Sequence, residues 1–211
     1  MPEAEVRRSL ADLRFVNRWL GNRRLLAATV SGLLDGIDKP RLLDVGCGSG
    51  DLVEHFRRQC PRPLLAVGLD IKLTHLRSVP PLVRTVVADV RQLPFPPGSF
   101  DVVTASLFLH HFDTAELVPL LRGLHLLARR ALVVNDLRRA RVPYLFGRLA
   151  FSWLFASPVS VADGLVSIRR GFRCSELQDA FKNAGIPVRV ERSWPYRLLA
   201  VAETDRGGDH A

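Results

Sequence analysis

The stretch Leu42-Leu43-Asp44-Val45-Gly46-Cys47-Gly48-Ser49-Gly50-Asp51 (LLDVGCGSGD, residues 42–51) decides the fold. An apolar run ends in an acid and enters three glycines spaced G-x-G-x-G, and a helical pattern begins at Asp51. Glycines in such a turn allow backbone dihedrals that other residues resist and let a ligand approach the main chain closely. The rival reading is a dinucleotide turn, G-x-G-x-x-G. Counted from Gly46 and Gly48, that pattern requires glycine at position 51, where this chain has Asp51. A carboxylate at the start of the helix repels a pyrophosphate that would otherwise sit on the helix N-terminus. The turn suits a ligand without phosphates, carrying positive charge.

Outward from the turn, short apolar strands alternate with helices. Strands are expected at 41–45, 64–69, 85–88, 100–105 and 131–134, with helices at 51–59, 72–78 and 114–129. This alternation implies a mostly parallel sheet covered on both faces, a Rossmann-like α/β fold. A helix at 175–183 and two strands at 188–191 and 198–202, close enough to pair antiparallel, complete seven strands. One domain over 1–211 is expected, with an N-terminal helical cap at 1–36 and an insertion at 137–172. In the cap, one helix is expected to end at Gly21 and a second to begin at Arg23, and the tail 204–211 is expected to fray.

Three acids close three neighbouring strands: Asp44, Asp70 (AVGLD, 66–70) and Asp89 (VVAD, 86–89). Open parallel sheets bind ligands at that carboxyl edge. Asp70 can accept hydrogen bonds from ribose hydroxyls, Asp89 from an adenine amino group, and Val90 can pack on the ring. Each acid has a plainer reading as a cap or loop residue.

These stretches, with ADVRQLPFPPGSFDVV (88–103) and SLFLHHF (106–112), resemble the class I S-adenosylmethionine-dependent methyltransferases, in particular the small-molecule enzymes similar to those of ubiquinone and menaquinone biosynthesis. The resemblance implies S-adenosylmethionine as cofactor. Asp44, Gly46, Cys47, Gly48 and Gly50 would hold its methionine part, Asp70 and Ile71 its ribose side, Asp89 and Val90 its adenine, and Ser106 and Leu107 would line the pocket. The sulfonium methyl is already activated, so a base is needed only where the acceptor loses a proton. His111 is one candidate, His110 a lesser one, and both have a packing alternative; His125 reads as structural. Asn135 and Asp136, at the end of the fifth strand, either orient an acceptor hydroxyl or cap a turn.

Tyr144, Phe146, Phe151, Trp153 and Phe155 make the insertion an aromatic cover for a hydrophobic small-molecule substrate, unless they only pack the cover or form a dimer face. The acceptor expected is a phenolic lipid, quinone precursor or polyketide, methylated at oxygen or carbon. Arg169 and Arg170 could anchor an acidic acceptor. Residues 14–21 could fold over the cofactor.

Charge raises a competing class. The net charge is +9, but only three of the thirty basic residues are lysines and the arginines are dispersed. Nucleic acid is therefore disfavoured as a partner, because a footprint needs clustering. The chain also has Ser106-Leu107-Phe108-Leu109 where base-amino methyltransferases often carry an Asn/Asp-Pro-Pro-aromatic motif. RNA or protein methylation and a non-catalytic partner protein remain the alternatives. Three cysteines without metal-like spacing predict no metal site and a reducing compartment, and no signal-like segment is evident at the N-terminus, so a cytoplasmic protein is expected. Residues 142–162 approach membrane-spanning length but contain Arg148 and two prolines. That leaves peripheral membrane contact open, and the chain is expected as a monomer or homodimer.

Overall fold

The computed structural model describes residues 8, 9, 11, 12, 14, 15 and 23–204. Seven strands form one sheet in the order β3-β2-β1-β4-β5-β7-β6, with β1 Arg41–Val45, β2 Leu65–Asp70, β3 Arg84–Val87, β4 Phe100–Ser106, β5 Ala128–Leu137, β6 Arg189–Ser193 and β7 Arg197–Glu203. β1 to β5 run parallel to one another, and β7 runs antiparallel between β5 and β6. The helices are α1 Arg23–Leu34, α2 Asp51–Gln59, α3 Leu73–Leu76, α4 Thr114–Leu127, α5 Arg141–Leu154, α6 Pro158–Arg170 and α7 Cys174–Asn183, with a 3-10 turn at Leu109–His111.

Strand side chains alternate between two apolar layers, as period-two geometry requires. Leu43, Val45, Val103, Leu132 and Leu198 pack with α4 and α7 on one face. Leu42, Val102, Val133 and Val201 pack with α1 and α2 on the other. Both faces are covered, which is why these strands read as continuous apolar runs.

The fifth strand is the main correction to the expected elements. It is ten residues long where 131–134 was expected, and α4 passes at Leu127 directly into β5 at Ala128. Arg129 and Arg130 disguise the start of the strand by their charge, yet they extend a strand that pairs with β4 on one side and β7 on the other. The expected first helix of the cap lies mostly outside the described residues, as does the tail from residue 205, whereas the second helix begins at Arg23 as expected.

The insertion is a pair of helices, α5 and α6. Phe151 lies between Gly147 and Gly164: a Cβ built on either glycine would come within 2.9 Å of the Phe151 ring. Small residues on both helices let the pair close around one aromatic side chain. Phe155 packs on Phe151 with ring centroids 4.7 Å apart. Phe146 and Trp153, by contrast, face outward and are exposed, so they neither line a pocket nor pack within the pair.

Candidate functional site

In the sheet order, β2 lies on one side of β1 and β4 on the other, so the chain reverses direction across the sheet there. Such a switch point leaves a crevice beyond the carboxyl ends of the strands. The turn after β1 and the loop after β4 border that crevice.

In the turn, Gly46, Gly48 and Gly50 all have positive φ, at 68°, 55° and 69°. The Cys47 N–H donates to the Leu69 carbonyl at 3.0 Å, and the Gly48 N–H donates to Asp70 Oδ2 at 3.0 Å, so the end of β2 holds the turn in shape. The Gly46 requirement is steric as well: a Cβ there would lie 2.2 Å from the Phe108 ring. Gly46→Ala is expected to lower stability by ~2 kcal/mol, from the left-handed backbone and displacement of Phe108. Gly36→Ala, at φ 78° in open space, should lose only the backbone contribution. Thermal melting of the two variants checks this.

Asp44, Asp51 and Asp70 converge on the turn closely enough to repel one another. Asp44 is buried, and burial pushes its carboxyl up to about 7, with Asp51 and Asp70 adding to the shift and the Thr104 hydroxyl, which donates to Asp44 Oδ1 at 2.7 Å, opposing it. Burial also pushes the Asp70 carboxyl up. The His75 side chain and the N–H groups of Lys72 and Gly48 outweigh that and hold it below its ordinary range. Cys47 is buried, and burial with Asp44 and Asp70 pushes its thiol well up, so it is no nucleophile. A ligand with an ammonium and a sulfonium fits this acidic turn; a pyrophosphate does not.

A small cleft opens beside the turn, and its lining brings together Gly46, Asp70, Ile71, Asp89 and Val90. Phe108, Phe112 and Arg91 line it too, and sequence reasoning did not single them out. Phe108 and Phe112 meet edge to face at 5.1 Å, and Arg91 lies 5.3 Å from the Phe112 ring centroid. The signal was present in SLFLHHF, where two phenylalanines flank the 3-10 turn. Asp89 accepts from the Arg91 N–H at 2.9 Å, and Val90 is buried. A larger hollow, bordered by Leu34, Ile37, Pro40 and Cys60, lies at the opposite, amino-terminal end of the strands, away from the turn.

At the end of β4, Leu107 takes a left-handed conformation with φ 54°, unusual for a side chain that is not glycine. Its N–H donates to the Asn135 carbonyl at 2.8 Å. The Asn135 amide donates to Ser106 Oγ at 3.1 Å, so Asn135 is engaged in fixing the end of β4. The loop then places two histidines side by side, ring centroids 4.2 Å apart. His111 keeps one edge exposed, but packing that strips water from the rest of its ring, with the adjacent His110, Arg170 and Lys72, pushes it down, and Asp136 opposes that fall. His110 is buried, and its Nδ1 lies 2.7 Å from Asp136 Oδ1. Asp136 also accepts from the Leu137 N–H at 2.7 Å. Burial raises the Asp136 carboxyl, but His110, that N–H and the Arg197 guanidinium together lower it. Burial brings Arg197 down to about 10, and Asp136 opposes that fall. With Asp136 ionised, His110 Nδ1 is the donor in this contact. His110 Nε2 is buried, with no hydrogen-bond partner among the described residues.

Two contacts from the N-terminal segment reach this region. Arg14 Nε donates to Ser49 Oγ at 3.0 Å. Asp12 accepts from the N–H groups of Ala156 and Ser157, both at 3.0 Å, just before α6.

The fold and the cleft define a class: this is the seven-stranded architecture of the class I S-adenosylmethionine-dependent methyltransferases. Residues 43–130 match the family model described as the methyltransferase domain, and S-adenosylmethionine is the cofactor that such a domain implies. Over 76 residues the chain is 32% identical to the mitochondrial arginine-hydroxylase NDUFAF5 of Rattus norvegicus, a match over 35% of this chain and 22% of that protein, so it spans about a fifth of that relative's length. Among solved structures, the plantazolicin methyltransferase BpumL in complex with a triazolic desmethylPZN analog and SAH superposes with a TM-score of 0.72 at 15% identity, over 97% of both chains. Magnesium protoporphyrin IX methyltransferase (ChlM) from Synechocystis PCC 6803 with bound SAH does so with a TM-score of 0.60 at 19% identity, over 88% of this chain and 84% of that one. These structural likenesses are of fold.

Proposed function

We propose that this chain methylates an apolar small molecule at an ionisable hydroxyl, with S-adenosylmethionine as methyl donor. The observation that carries the reading is the pairing of the acidic glycine turn with the buried His110–Asp136 pair on one sheet edge. Asp44, Gly46, Gly48 and Gly50 would hold the methionine part, Asp70 and Ile71 the ribose side, and Asp89, Val90, Phe108 and Phe112 the adenine side. Ser106 and Leu107 shape the end of β4 between the two halves.

When bound, the cofactor supplies a methyl on positive sulfur, so the chain's own work is alignment and proton removal. His110 Nε2 accepts the hydroxyl proton of the acceptor, and Asp136 orients the ring and stabilises the imidazolium. This assigns the base role to His110 in preference to His111, because only His110 has a carboxylate on its other nitrogen. Asn135 is a positioning residue acting through Ser106. The α5–α6 pair serves as the substrate cover, with Phe151 and Phe155 packing its interior.

Calorimetry with S-adenosylmethionine and with NAD tests the first half; binding of NAD alone would refute it. Incubation with phenolic lipids, quinols, peptides containing arginine and tRNA, read by mass spectrometry, tests the second. Gain of a methylene unit on a phenol or quinol is the expected result. Methylation of tRNA alone, or gain of an oxygen atom on arginine as the name of the rat relative suggests, would overturn the reading.

A further inference from the structure

We propose that the outward face of α5 is an interfacial anchor that lays the molecule on an anionic lipid bilayer. Val142, Leu145, Phe146, Leu149 and Trp153 fall on one side of this fourteen-residue helix, and all are exposed, Leu149 to 79% and Trp153 to 89%. Their spacing of three or four residues puts them in a single arc. The opposite side, Gly147 and Phe151, is buried against α6. An unbroken apolar arc of this size on a soluble surface marks a contact site.

Charge identifies the occupant. Arg141 and Arg148 border the arc on the helix itself and no acid occurs from residue 137 to residue 162; of the two arginines ahead of the helix, Arg139 pairs with Glu176 and Arg138 stacks on Tyr196. An apolar stripe with a purely basic margin is the pattern of a helix lying in a bilayer interface, its margin against anionic headgroups. A second copy of this chain meeting the same face would bring arginine margins together, which is repulsive. Spanning is excluded by length: a helix of fourteen residues extends ~21 Å, short of the ~30 Å hydrocarbon core. Among the described residues no helix is long and apolar enough to cross a membrane.

A second aromatic stands nearby. Trp194 is 81% exposed in the turn between β6 and β7. That turn lies beside the start of α5, because Arg197 pairs with Leu137 and the Arg138 N–H donates to the Tyr196 carbonyl at 2.8 Å. Tryptophan is favoured at the membrane–water boundary, where its ring is half in and half out. The proposal requires no assumption about the reaction.

The test is co-sedimentation of the full chain with vesicles of equal parts phosphatidylglycerol and phosphatidylcholine, and with vesicles of phosphatidylcholine alone. Binding is expected to the anionic vesicles and to weaken at ~1 M salt, where charges are screened within ~3 Å. Leu149→Glu and Trp153→Ala should each weaken partition about tenfold, with unchanged melting and unchanged SAH affinity by calorimetry. Vesicle binding that neither variant alters would overturn the proposal and assign the attraction to overall positive charge. Absence of vesicle binding would overturn it as well. So would light scattering that shows a dimer which Leu149→Glu converts to monomer, since the face would then belong to a second copy.

Discussion

His110→Asn is expected to lower methyl transfer 10²–10⁴-fold, the usual range for loss of a general base, while S-adenosylmethionine affinity stays within about twofold. The expectation follows from geometry: Nδ1 is committed to Asp136 at 2.7 Å and Nε2 has no hydrogen-bond partner among the described residues. Asn retains a polar group of similar reach but cannot accept the proton. Asp136→Asn should lower kcat by a similar order without raising KM for the acceptor, because the imidazole then loses both its orientation and its counter-charge. A series of phenolic acceptors separates this from damage to the fold. The loss in His110→Asn should shrink for phenols already ionised at the assay pH, since they present no proton to remove. A uniform loss across the series, or retention of full rate, would end the assignment.

Asp44→Asn is expected to act with opposite signs on stability and on cofactor affinity. The folded-state carboxyl is raised from 3.8 to about 7, so between those values the folded chain binds more protons than the unfolded one. Stability from this group is therefore fully present below pH ~4 and is lost as pH rises to ~7, at ~1.4 kcal/mol per unit and on the order of 4 kcal/mol in all. Asn has no charge to bury and can still accept from Thr104. The variant should therefore melt close to wild type at pH 4 and above it at pH 8. Affinity should move the other way. The ionised Asp44 favours a cationic ligand, so wild-type binding of S-adenosylmethionine should strengthen as pH rises through about 7, and Asp44→Asn should lose that dependence and bind more weakly. Equal melting of the two proteins at pH 8 would show that Asp44 is not under strain.

Much of the fold was legible because its signals are local. The strands around Leu43, Leu69 and Val103 are buried on both faces and read as apolar runs, and Gly46, Gly48 and Gly50 mark a turn whose conformations exclude most other residues. The start of β5 was hidden because Arg129 and Arg130 look like the polar end of a helix; only pairing with strands on both sides overrides their charge. Asp44, Asp70 and Asp89 stand out for a related reason: each lies at or just past the end of an apolar run, and Asp70 and Asp89 line the cleft. The His110–Asp136 contact was not. It joins residues 26 positions apart, one after β4 and one in β5, and depends on the register of those strands. The two histidines are neighbours in sequence, and composition cannot tell which turns inward to a carboxylate and which outward to water. Which aromatics of the insertion turn inward was hidden for the same reason: Phe151 and Trp153 are two positions apart on one helix, so one is buried where the other is exposed.

The N-terminal segment has a mechanical consequence. Asp12 holds the junction before α6, and Arg14, two positions on, holds Ser49 in the glycine turn. A single short span of chain thus fastens the inserted helices and the glycine turn at once, like one bolt through two plates. Under the proposed function, this shared fastening would tie admission of an acceptor to release of the spent cofactor.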